Sequence, residues 1–88
     1  MDKGKLKALA IELDLVLKNS AHLSSDLKAL SKYEPLLSAI ARAKKELISN
    51  WEPLPSLRYW LFETDLQNYQ SVELALAKFS NCLEGIDS

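Results

Sequence analysis

Residues 5–18, KLKALAIELDLVLK, decide the fold. At about 100° per residue, Leu6, Leu9, Ala10, Leu13, Val16 and Leu17 gather into one apolar stripe of a helix. Ala8, Ile11 and Leu15 fall on the far side, with Asp14 and Lys18 on one flank and Glu12 on the other. A helix that lines a single core needs only the first stripe. Ile11 and Leu15 must therefore meet another element of the same chain or another chain.

Further along, Leu6, Leu9, Leu13, Val16, Leu23, Leu27, Leu30 and Leu37 alternate spacings of three and four once Ser20 and Glu34 fill the intervening slots. This heptad seam predicts a long first helix from about Lys3 to about Tyr33. Its continuity from Ser20 to Ser24 is left open, since helix formers are few there and Ser24 or Ser25 makes a good N-cap, while no Gly or Pro enforces a break. Tyr33-Glu34 reads as a corner, because a residue before proline is biased away from helical geometry, and Pro35 opens the next helix.

That second helix is predicted from about Pro35 to Ser49, with Leu36, Ile40, Ala43 and Leu47 on one face and Leu37, Ala41 and Ile48 beside it. The segment from Asn50 to Pro55 ends it, and Ser56 caps a short third helix through about Thr64. Asp65 to Gln70 reads as a polar connection. Ser71 caps a last helix built on Val72, Ala75, Leu76, Phe79 and Leu83, and Gly85 followed by Ile86 closes it. Nothing reads as a strand. The expected fold is all-α: an antiparallel helical hairpin with a long first helix, closed by two further helices in the manner of a four-helix bundle, with residues 1–88 as one domain.

Five of the seven aromatic residues, Trp51, Tyr59, Trp60, Phe62 and Tyr69, lie between positions 51 and 69. Leu57, Trp60 and Leu61 share one face of the short helix, while Tyr59, Phe62 and Leu66 point the opposite way. Aromatics at helical spacing usually belong to a core, so the leading expectation buries both faces between the hairpin and the last helix. The alternative has some of Ile11, Leu15, Tyr59 and Phe62 contacting a second chain. Small domains with surplus apolar surface commonly associate. Ile11, Leu15, Trp51, Tyr59 and Phe62 are the expected protein-contact residues.

Composition narrows the chemistry. A chain of 88 residues, 48% hydrophobic and 26% charged, is too apolar for disorder and long enough for one core. With Cys82 as the sole cysteine and His22 as the sole histidine, neither an intramolecular disulfide nor a four-ligand Cys/His zinc site can form. Cys82 reads as a small buried apolar residue, suited to a reducing, cytoplasmic setting. Glu12 and Asp14 interrupt the amino-terminal apolar stretch, which reads as mature protein rather than a secretion leader. No uncharged stretch is long enough to span a bilayer, and no membrane association is expected.

Gly4 and Gly85 are the only glycines, which excludes a glycine-rich phosphate loop. His22 lacks an evident oriented partner and nucleophile, and reads as a surface or hinge histidine. Glu12 and Asp14 are two apart and do not face each other on a helix, and the Glu-x-x-His pairs of a di-metal bundle are missing. No catalytic residue, cofactor or metal is expected, and the chain reads as a non-enzyme.

Charge is uneven. Up to Asn50 the chain carries nine basic and six acidic residues, and beyond it two and six. Opposite halves favour docking within the chain or head-to-tail and two-fold pairing between chains. By elimination the function expected is a small interaction module, a regulator, adaptor, chaperone or inhibitor that docks on an unknown protein partner, and the assembly expected is either a homodimer or a partner-dependent one. The alternative is a small nucleic-acid-binding regulator using Lys3, Lys5 and Lys7 with Lys28, Lys32 or Arg42, Lys44 and Lys45. Those lysines mostly occupy outward positions and arginine is scarce, so nucleic acid is the weaker reading.

Overall fold

The computed structural model describes residues 2–54 and 56–85. It is all-α, with no strand among the described residues. The elements are α1 (Lys3–Ser20), a 3-10 turn over Ala21–Leu23, α2 (Ser25–Leu30), α3 (Glu34–Lys44), α4 (Leu57–Phe62), a second 3-10 turn over Asp65–Asn68, and α5 (Gln70–Glu84). The parts of the sequence reading that rest on Pro55 and Ile86 lie outside the described residues.

The first helix starts where the Asp2 carboxylate accepts the Lys5 backbone N–H at 2.9 Å, satisfying one of the donors that a helix start leaves open. It buries Leu6, Ala10, Leu13, Leu17 and Ser20. These follow the stripe drawn from residues 5–18 but not the longer heptad seam. Leu9 and Val16 are only partly buried, and Leu23 and Glu34 are exposed. The expected helix through Tyr33 is instead two helices. The 3-10 turn breaks the period at Ala21, and the Ser24 hydroxyl then accepts the Leu27 N–H at 3.0 Å to start α2 afresh.

The second predicted helix also ends early, at Lys44 rather than Ser49. Glu46 takes a left-handed backbone (φ 55°). The Leu47 N–H returns to the Arg42 carbonyl at 2.9 Å and the Glu46 N–H to that of Ala43 at 3.0 Å. This pair of bonds is a Schellman stop, here with glutamate where glycine is usual. Leu47, expected on the core face, is thereby turned out to solvent, while Ile48 is buried. Ser71 does not cap α5, which begins at Gln70 after Tyr69 without a side-chain cap.

Chain direction follows from the contacts at the two ends. The Tyr69 hydroxyl donates to the Leu23 carbonyl, and the Asp65 N–H donates to the Asp26 carboxylate, so α5 begins beside the corner where α1 ends. The Glu52 N–H donates to the Leu83 carbonyl, which sets the segment after α3 against the far end of α5. Both α3 and α5 therefore run opposite to α1, and the stretch containing α4 returns to the corner. This arrangement broadly agrees with the expected hairpin and two closing helices. The fold measures 33 × 21 × 20 Å.

α1 is its centre. α3 and α5 each pack extensively on it and hardly at all on one another. One buried cluster runs through Leu6, Leu13, Leu27, Leu36, Leu66, Leu76, Phe79 and Leu83, with Cys82 inside it. The Asp14 carboxylate ties α1 to α3 by accepting from Lys44 and from Lys18. Hydrogen bonding from the Lys44 ammonium, foremost, holds this carboxyl below its ordinary value against the opposing effect of burial.

Candidate functional site

The five expected contact residues all lie at the surface. Ile11 and Leu15 are 41% and 56% exposed, Trp51 57%, Tyr59 52% and Phe62 65%. The expectation that α4 buries both faces is overturned. Its side toward the core holds Trp60, with Leu57 and Leu61 half-buried, and its other side presents Tyr59 and Phe62 to solvent. The cause is length. Six residues of helix, packed chiefly against the following 3-10 turn, leave no second element over Tyr59 and Phe62. Leu66 escapes that fate because the chain turns at Thr64, whose hydroxyl accepts the Leu66 N–H, and Leu66 is buried.

The five do not form one patch. Ile11 and Leu15 share the outer side of α1 with Gly4 and Ala8. Tyr59 and Phe62 belong to α4, which shares no extensive packing with α1. Trp51 lies near the far end of α5. The buried half of the aromatic segment fixes α4 in place: Trp60 meets Tyr33 with ring centroids 5.4 Å apart, and Tyr59 meets Trp60 edge-on at the same distance. The Trp60 indole N–H is buried without an acceptor among the described residues.

Trp51 sits in the most constrained of these settings. Gly85 caps α5 in the left-handed conformation (φ 78°), and a Cβ there would lie 2.7 Å from Cδ2 of the indole. Only glycine gives the ring this seat. On either side, the Glu52 carboxylate takes two hydrogen bonds from Arg42 at 2.7 and 3.0 Å, and Oε1 of Glu84 accepts the Leu54 N–H at 3.3 Å. Hydrogen bonding to Glu52 raises the Arg42 guanidinium above its ordinary value. Trp51, Glu52, Pro53 and Glu84 line an open cleft of about 330 Å³.

The basic residues are dispersed. Lys3, Lys5 and Lys7 stand at the start of α1, about 20–26 Å of helix away from the corner. Arg42 and Lys44 are engaged by Glu52 and Asp14. A groove of about 310 Å³ at the corner gathers Lys28 and Lys32 with His22, which is exposed on the first 3-10 turn. Among the described residues, no three of the His, Cys, Asp and Glu side chains gather as metal ligands. No helix among the described residues is long and apolar enough to cross a membrane.

Sequence reasoning missed the exposed Leu23, Leu47 and Leu74 and the two glutamates beside Trp51. Leu74 had a signal, since it lies opposite Val72, Leu76 and Leu83 on the wheel. Leu47 had none, because its exposure depends on the glutamate-capped helix stop. Compared with known proteins, the chain matches no family model, and no curated protein or solved structure matches it.

Proposed function

We propose that this chain is a small non-enzymatic protein–protein interaction module, a regulator, adaptor, chaperone or inhibitor, that self-associates through the outer side of α1. The observation that carries the reading is the exposure of Ile11 and Leu15 on the one helix that otherwise forms the centre of the core. Gly4 and Ala8 beside them leave room for a partner helix to approach closely. Tyr59 and Phe62 offer a second apolar surface, of the aromatic type enriched at binding hot spots.

The test is the mass of the chain in solution across a concentration series, for the wild type and for Ile11→Lys combined with Leu15→Lys. The wild type is expected to gain mass with concentration, and the double variant to stay monomeric with an unchanged far-ultraviolet circular dichroism spectrum. A wild type that remains monomeric at millimolar concentration overturns the self-association. The nucleic-acid reading draws on the groove of His22, Lys28 and Lys32, and predicts binding of mixed-sequence duplex DNA that weakens steeply with salt. The dispersal of the other basic residues makes it the second choice.

A further inference from the structure

Three features converge on the cleft at the far end of α5. The first is an aromatic platform, since the Trp51 indole rests against Gly85 while more than half of the residue stays in solvent. The segment carrying it is fixed to α5 by the Glu52 N–H to Leu83 carbonyl bond and by the Leu54 N–H to Glu84 bond. The second is negative charge. Glu52 is balanced by Arg42, but Glu84 has only a backbone N–H as its partner among the described residues, and its second carboxylate oxygen is uncommitted. The third is the helix end itself. α1 and α3 carry Lys18, and Arg42 with Lys44, in their last turns, whereas α5 has no basic residue in its last turn. The partial negative charge at a helix C-terminus is stabilised by a nearby cation, and here the helix supplies none of its own.

We propose that this cleft is a binding site for a cationic side chain, arginine before lysine, presented by a basic segment of a protein partner. A guanidinium can lie flat on the exposed indole face while its N–H groups reach the Glu84 carboxylate, and an ammonium gains only the point charge and the cation–π contact. Pro53 walls the cleft without offering a donor that competes for the carboxylate. The proposal rests on the interaction-module reading and adds the chemistry of the partner.

The experiment is a nitrogen-15 NMR titration of the full chain with Nα-acetyl-arginine amide and, separately, with its uncharged isostere Nα-acetyl-citrulline amide. The two indole N–H signals are told apart by the spectrum of Trp51→Leu. The Trp51 indole and Gly85 amide signals are expected to move saturably with the arginine compound, and to move at least about threefold less at equal concentration with the citrulline compound. Glu84→Gln keeps an oxygen for the Leu54 N–H but removes the charge, and should weaken the arginine titration roughly threefold to fivefold. Equal response to both compounds, no response, or an unchanged titration in Glu84→Gln would overturn the site. The concentration-dependent mass that tests the α1 surface is read without either compound, so failure of the cleft and failure of the wider reading are separate results.

Discussion

Replacing Gly85 with alanine tests the construction of the Trp51 seat, and its cost can be worked from the geometry. Gly85 holds φ at 78°, where an L-residue costs about 1–2 kcal/mol. The smaller conformational entropy of alanine in the unfolded chain returns about 0.4–1 kcal/mol of that. The new Cβ would stand 2.7 to 3.0 Å from three atoms of the indole, so the ring must lift off. Removing roughly 50 Å² of apolar contact at about 25 cal/mol per Å² costs about 1 kcal/mol more. The expected loss is about 2 kcal/mol, which lowers the melting temperature of a domain this small by roughly 8–16 °C. Urea unfolding followed by circular dichroism gives the stability, and tryptophan emission reports the displaced ring. Stability within about 0.5 kcal/mol of wild type, with unchanged emission, would refute the account of why glycine is needed there.

Gly4→Ala should act in the opposite direction. A Cβ at Gly4 meets only Asp2 Oδ1 at an ordinary 3.5 Å, and a helical alanine gains up to about 1 kcal/mol, measured by the same urea curves. Glu46→Gly relieves a left-handed glutamate at an exposed helix stop and should add roughly 0.5–1 kcal/mol, with no change in the circular dichroism spectrum. Asp14→Asn removes the ion pairs to Lys44 and Lys18 and should cost roughly 0.5–1 kcal/mol at neutral pH. Because the folded carboxyl titrates below its ordinary value of 3.8, the wild-type advantage is complete above that pH. It should fade as pH falls below 3.8 toward the lower folded value; an advantage that persists in strong acid would show that the charge is not its source.

The legible part of the fold is the part written in periodicity. The stripe of Leu6, Leu13 and Leu17 and that of Val72, Leu76, Phe79 and Leu83 both lie in the core, because a helix places every third or fourth residue on one face whatever it packs against. Element ends are harder to read, since they depend on backbone choices that composition does not announce. Glu46 gives no sign that it will adopt a conformation favoured by glycine, so spacing alone assigns Leu47 to the core, and it is exposed. The 3-10 turn at Ala21 likewise moves Leu23 out of a seam that spacing alone extends. The exposure of Ile11 and Leu15 is visible on the wheel as an excess of apolar surface. That Tyr59 and Phe62 share it depends on how short α4 is, and the setting of Trp51 depends on a tertiary neighbour more than thirty residues away in the chain.

The central position of α1 bears on what any companion would feel. Since α3 and α5 meet mainly through that helix, a molecule clasping its outer side would hold the keystone of the whole assembly. Its grip would be sensed as slower global opening rather than as local stiffening, with amide exchange slowed in α3 and α5 even though neither is touched.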